Sequence, residues 1–248
     1  MKRLENKVAI ITGATSGIGK AMAVLFAAEG AKVVFAGRRA EQGKAIEKEI
    51  QSAGNTAFFC QADVGKKADL QALVDFTIGK FGRIDVLCNN AGILFTAEFT
   101  EMDLEKDFDR TMDINVKSYI SLMQLVIPHM KKTGGGSIVN TASIGAVQAL
   151  PMNVSYSVSK AAVKHLTEST AVRYARDKIR VNAICPGLTY SEMVEKGNAF
   201  DQHMMPLIPL GRGAEAVEIA QGALFLASDD SSYCVGVSLI MDGGLILE

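Results

Sequence analysis

Cysteine and histidine are scarce in this chain of 248 residues, with four of the first and three of the second. Cys60, Cys88, Cys185 and Cys234 stand far apart and form no CxxC pair, so they read as reduced thiols and no metal site is expected. A charge of one sign is also lacking. Lys and Arg number 26 against 27 Asp and Glu, a net charge of -1. That balance argues against nucleic-acid and anionic-membrane partners, which need a broad positive field. No apolar run is long enough to cross a bilayer, and the opening MKRLENKVAI has basic residues without an apolar segment behind them. The expectation is a cytoplasmic protein with no membrane partner. Internal repeats, low-complexity tracts and linkers of changed composition are missing as well.

What is present is a composition for a filled core, 48% hydrophobic and 21% charged. Seven short β-rich runs recur: KVAII (7–11), KVVFA (32–36), TAFFC (56–60), DVLCN (85–89), SIVNTA (137–142), RVNAI (180–184) and VSLIM (237–241). Between them lie segments of helical period, such as 20–30 and 68–82, which mostly end at glycine. Strands that are nearly all apolar need both faces covered. The alternation therefore predicts a single Rossmann-type α/β domain over 1–248, a doubly wound parallel sheet of order 3-2-1-4-5-6-7 with helices on both faces. One long interruption, 187–213, is rich in Met, Pro and Gly and lacks a core period. It reads as a loop with a short helix inserted over a site.

Three stretches carry chemistry. TGATSGIG (12–19) follows the first strand and opens the first helix. There Gly13 can make the turn, Gly17 lets backbone approach a diphosphate, and Gly19 lets helix and strand pack closely. Its spacing is GxxxGxG rather than GxGxxG. NNAG (89–92) ends the fourth strand, beside the first, where a dinucleotide crevice would open. Asp63 ends the third strand, followed by Val64; its carboxylate could accept from an adenine amino group or cap the next helix. SYSVSK (155–160) sets Tyr156 and Lys160 four positions apart, which on a helix puts the ammonium near the phenol and favours loss of the phenol proton.

With TGATSGIG, NNAG, Asn115, Ser143, Tyr156 with Lys160, and Pro186-Gly187 all in order, the chain resembles the short-chain dehydrogenase/reductase family along essentially its whole length, down to DGG (242–244). The resemblance implies a catalytic tetrad of Asn115, Ser143, Tyr156 and Lys160. It also implies an NAD or NADP cradle of Gly13, Thr15, Ser16, Gly17, Ile18, Gly19, Arg38, Arg39, Asp63, Val64, Asn90, Ala91, Gly92, Tyr156, Lys160, Pro186, Gly187 and Thr189. In that scheme Ser143 holds the substrate oxygen, Lys160 also binds ribose hydroxyls, and Asn115 holds a relay water. A homotetramer is implied too.

At the end of the second strand AGRRAEQ puts Gly37 where NAD-binding folds usually place an acid, then Arg38 and Arg39. A guanidinium suits a 2′-phosphate, so NADP is expected, although Ser16 stands where NADP-dependent relatives often carry a second basic residue. Candidates for substrate contact are Leu94, Met152, Met193 and Met204, which are apolar, and the polar Gln148. They predict a bulky apolar secondary alcohol or ketone, such as a hydroxysteroid, as the small-molecule substrate. The alternatives are a 3-oxoacyl-[acyl-carrier-protein] reductase and, outside enzymes, a nucleotide-sensing or scaffold protein. In the former, the carrier-docking arginines align with Gly134 and Asp177 here.

Overall fold

A computed structural model describes residues 2–150, 153–192, 194, 196–197 and 199–247, the side chains of Ala199 and Phe200 excepted. Seven strands form one parallel sheet in the order β3-β2-β1-β4-β5-β6-β7. They are β1 Val8–Thr12, β2 Lys32–Gly37, β3 Ala57–Gln61, β4 Val86–Asn89, β5 Gly136–Thr141, β6 Ile179–Pro186 and β7 Ser238–Met241. Each falls within two residues of the run read from sequence. The eight α-helical segments among the described residues are α1 Gly17–Ala28, α2 Ala40–Ser52, α3 Lys67–Phe81, α4 Arg110–Met112, α5 Ser118–Lys132, α6 Val154–Tyr174, α7 Ala199–Met204 and α8 Ala216–Ala227.

The period of two along each strand divides the core. Ala9 and Ile11 of β1, with Val33 and Phe35 of β2, face Met22 and Phe26 of α1, Ile46 of α2 and Leu224 of α8. Ile10 and Val34, one residue out of phase, face Leu70 and Leu73 of α3 and Leu122 and Val126 of α5. Each fully buried side chain of this size contributes about 1.5–3 kcal/mol. The two apolar layers therefore hold the sheet, and its strand ends are free to carry polar groups. α3 stops at Gly82, whose left-handed φ of 70° turns its N–H back to the Ile78 carbonyl.

Two departures from plain helix bear on function. Between β4 and β5 the chain runs as a π turn Leu104–Asp109, then α4, then a second π turn Asp113–Lys117, then α5. π turns widen the backbone and commonly mark functional positions. The interruption at 187–213 holds α7 and a 3-10 turn, Met205–Leu207, and is pinned at its root by a bridge between Thr189 and Ala214. Among the described residues no helix is long and apolar enough to cross a membrane.

Candidate active site

A crevice of about 450 Å³ opens at the carboxyl ends of the central strands, where the strand order reverses between β1 and β4. Its floor is the glycine loop. Gly13 has a φ of 65°, and a Cβ there would lie 2.6 Å from the Ala91 Cα. Gly19 lies behind the loop, where a Cβ would meet the Gly13 carbonyl oxygen at 2.3 Å. The first glycine thus lets β1 and β4 approach, and the last lets α1 pack on its own loop. Gly17, with φ 54°, opens α1, and Ser16 makes no side-chain cap there. The first backbone N–H groups of α1 are left for an anion, and the loop and helix fit a diphosphate.

NNAG joins the strand ends. Thr12 Oγ1 accepts from the N–H groups of Asn90 (3.0 Å) and Ala91 (3.2 Å), and Asn90 Nδ2 donates to the Thr12 carbonyl at 3.1 Å. Asn89 is buried and donates to Asn140 Oδ1 at 2.9 Å, and Asn140 Nδ2 donates to Thr167 Oγ1 of α6 at 3.0 Å. This polar ladder fixes α6 against β4 and β5, and α6 carries Tyr156 and Lys160.

Lys160 is buried, and its Nζ donates to the Thr141 carbonyl at 2.7 Å. It lies 5.5 Å from the Tyr156 ring centre and 5.8 Å from that of Tyr119. Burial pushes the ammonium down to about 8. Three donors and one protein acceptor leave an ammonium with N–H bonds to offer, which suits ribose hydroxyls. Tyr156 is half-buried, facing the crevice. Burial raises its pKa, and the hydrogen bond from Ser143 only partly offsets this. In the chain alone, the nearby lysine therefore does not bring the phenol below its ordinary range, against the expectation from spacing. Ser143 Oγ accepts from the Gly145 N–H at 3.1 Å, which fixes its rotamer.

Asn115 sits in the second π turn. Its Oδ1 accepts from the Ile93 N–H, and its Nδ2 donates to the Ile93 carbonyl and to Ser159 Oγ, all at 2.9 Å. Every polar atom of that side chain has a protein partner, so Asn115 clamps the segment following NNAG to α6. A Cβ on Gly92 would stand 3.4 Å from Asn115 Oδ1 and 3.5 Å from Lys160 Nζ.

At the adenosine end, Asp63 does not cap α3; Lys66 holds that position. Asp63 Oδ1 instead accepts from the Gly65 N–H at 3.0 Å, and Val64 lines the crevice beside it. Arg38 is exposed on the crevice, and its guanidinium has no partner among the described residues. Arg39 is engaged, with Nε to Thr15 Oγ1 (3.3 Å), Nη2 to the Thr15 carbonyl (3.1 Å) and Nη1 to Glu192 Oε2 (2.6 Å). A Cβ on Gly37 would lie 2.6 Å from Thr15 Cγ2, which explains the missing acid: Thr15 occupies its place.

Of the remaining expected residues, Ile18 and Leu94 line the crevice, while Pro186, Gly187 and Thr189 do not. Gly187 lets β6 pass Asp242, and Thr189 Oγ1 turns back to the Gly187 carbonyl at 3.1 Å. Gln148 is exposed and off the crevice. Met204 packs on a separate apolar cluster of Ile144, Leu188, Ile208 and Leu245, so it fills the insertion rather than the crevice. Met152 and Met193 lie outside the described residues. Sequence reasoning missed Thr141, Ser159 and Glu192, whose parts depend on partners 19, 44 and 153 residues away.

A dinucleotide crevice with a Tyr-Lys pair on its wall defines a nicotinamide-dependent oxidoreductase. The sequence profile described as enoyl-(acyl carrier protein) reductase matches residues 13–246. The 3-oxoacyl-[acyl-carrier-protein] reductase of Thermotoga maritima is 40% identical over 246 residues, covering 99% of this chain and 100% of that protein. The 7alpha-hydroxysteroid dehydrogenase of Escherichia coli is 39% identical over 248 residues, covering 99% and 96%. A solved 7alpha-hydroxysteroid dehydrogenase, complexed with NADH and 7-oxo glycochenodeoxycholic acid, superposes with a TM-score of 0.93 at 39% identity, covering 98% of this chain and 95% of that one. This chain belongs to the short-chain dehydrogenase/reductase family, as an NAD(P)-dependent enzyme. Relatives of nearly equal identity bear the names of different reactions, so identity alone does not choose the substrate.

Proposed function

We propose that this protein interconverts a secondary alcohol and a ketone, prefers NADP, and acts on a bulky apolar substrate such as a hydroxysteroid. The observation that carries the reading is Tyr156 on the wall of the crevice whose floor is the glycine loop, with Lys160 Nζ 5.5 Å from its ring centre. The bound nicotinamide supplies or accepts the hydride. Ser143 holds the substrate oxygen, and Tyr156 takes the alcohol proton or returns it to the forming alkoxide. Lys160 binds ribose hydroxyls with the donors that Thr141 leaves and keeps positive charge beside the phenol. Asn115 positions Ile93 and α6 by its three hydrogen bonds.

The preference for NADP rests on the unpartnered Arg38 and on the side-chain-free Gly37. The steroid-like substrate rests on Ile93 and Leu94 at the crevice and on the bile-acid ligand named for the related dehydrogenase. The whole chain works as one NAD(P)-binding unit with 187–213 as its substrate loop. Homotetramer formation accords with the exposed apolar residues on edge strand β7 and before it, Val235, Val237 and Ile240, and with exposed Phe99, Leu104 and Val172.

The 3-oxoacyl-[acyl-carrier-protein] reductase reading draws on the Thermotoga relative. Against it, Asp177, aligned with a carrier-docking arginine, is an acid ion-paired with Lys131 at 3.0 Å, although Lys132, Arg173 and Arg176 stand nearby and exposed. NADPH and NADH oxidation across steroid ketones, 3-oxoacyl thioesters and sugars tests the assignment. Highest kcat/KM with a steroid or other apolar ketone and NADPH is expected. A thioester or a sugar far ahead would overturn the substrate class, and equal use of NADH would overturn the cofactor preference.

A further inference from the structure

Arg39 joins the glycine loop to the insertion across the adenosine end of the crevice. Each of its guanidinium nitrogens already has a protein acceptor: Nε and Nη2 on Thr15, and Nη1 on Glu192 at 2.6 Å. The Arg39 and Glu192 side chains are 39% and 61% exposed, so the pair lies at the rim, open to an arriving nucleotide. Ser191, next in the chain, has its Cβ 3.4 Å from where a Cβ on Gly17 would stand, which brings this part of the insertion down onto the phosphate loop.

We infer that Glu192 is a specificity-determining residue for the nucleotide: it is an acid delivered from the insertion to the ribose end, where Gly37 cannot carry one. This rests on the NADP reading above. The carboxylate acts in two ways. It neutralises Arg39, leaving Arg38 as the free guanidinium for a 2′-phosphate, and it adds a negative charge that repels that phosphate. A bare 2′-hydroxyl meets no such repulsion and can donate to a carboxylate. Thr15 and Glu192 thus work together, the first closing the usual place for the acid and the second supplying the charge from 153 residues beyond Arg39. The consequence is a chain that binds both nicotinamide nucleotides, with a smaller preference for the phosphorylated one than two free arginines would give.

Binding of 2′,5′-ADP and of 5′-ADP, measured by titration calorimetry without substrate or turnover, tests this. Glu192→Gln should bind 2′,5′-ADP about three- to tenfold more tightly than the native protein, with 5′-ADP unchanged or weaker. The gain should shrink in about 0.5 M salt, where screening shortens the reach of the carboxylate. It should also shrink, without vanishing, when Arg39→Gln is added, because the neutralisation of Arg39 is then lost while the direct repulsion between carboxylate and phosphate remains. No gain for 2′,5′-ADP, or an equal gain for both ligands, would overturn the role of Glu192. The NADP reading fails separately. If the native protein binds both ligands equally, Arg38 does not select, whereas a gain in Glu192→Gln would still uphold the present inference.

Discussion

The two ends of the crevice hold their cations by opposite means. Lys160, at the catalytic end, is buried with one carbonyl acceptor, two aromatic rings nearby and no ion pair among the described residues, and burial pushes it down to about 8. Arg39, at the adenosine end, is part-exposed and meets Thr15 and Glu192. A buried ammonium without an anion costs stability, whereas an exposed pair contributes little either way, about 0–1 kcal/mol. The catalytic end is therefore where stability is given up for function, and the adenosine end is where selectivity can change at little cost to the fold.

The largest effect that would break this contrast is expected at Lys160. Lys160→Met keeps the length and removes the buried charge. Turnover and cofactor affinity should fall together, turnover by about 100-fold or more. The cofactor-free protein should at the same time become more stable by about 1–3 kcal/mol in urea unfolding. A destabilised Lys160→Met would mean that the ammonium holds the fold together instead.

Arg38→Ala should come next, lowering kcat/KM with NADPH by about 10- to 100-fold, the worth of a charged hydrogen bond, and leaving NADH nearly unchanged. Arg39→Ala should change the NADPH value less, because Glu192 already occupies it. Steady-state kinetics with both cofactors distinguishes the two; a larger loss at Arg39 would reverse the assignment.

Gly37→Asp, the obvious change toward NAD, should by itself destabilise the protein by about 1–3 kcal/mol, since its Cβ would lie 2.6 Å from Thr15 Cγ2. Thr15→Gly in the same chain should restore most of that loss and only then let the new acid favour NADH. Thermal unfolding of the single and double variants measures the coupling, and additive effects would show that Thr15 is not the obstacle.

The smallest effect concerns pH. The folded-state value of Lys160, about 8, lies below the ordinary lysine value of 10.5, so between the two the unfolded chain holds more protons and stability rises with pH. From pH 7.5 to 9 the native protein should gain about 1 kcal/mol from this group that Lys160→Met does not gain. Parallel pH profiles of the two proteins would contradict the burial cost.

The same division governs what was legible in the sequence. The strands, their order and the glycine loop depend on residues near one another in the chain, such as the buried VAIIT of β1 and the Gly13-Gly17-Gly19 spacing. Tyr156 and Lys160 were readable because i and i+4 share a helix face. Thr15 against Gly37, Asn115 against Ile93 and Arg39 against Glu192 are pairs made by the folded sheet and its insertion, and no local period announces them. The packing of Met204 was hidden for a related reason: an apolar side chain in an insertion packs against whatever core lies beneath it, here Ile208 and Leu245. The raised phenol of Tyr156 was also hidden, since spacing gives the lysine's proximity but not the burial that outweighs it.

The central claim is that Tyr156 moves the proton and does little else. Tyr156→Phe keeps the ring and removes the hydroxyl, so the direct measurement is turnover with the best ketone, alongside the dissociation constant for NADPH from its fluorescence. The account predicts turnover reduced by about 100- to 10,000-fold with cofactor affinity within about threefold of the native protein. Near-native turnover, or a loss of turnover matched by an equal loss of cofactor binding, would contradict it.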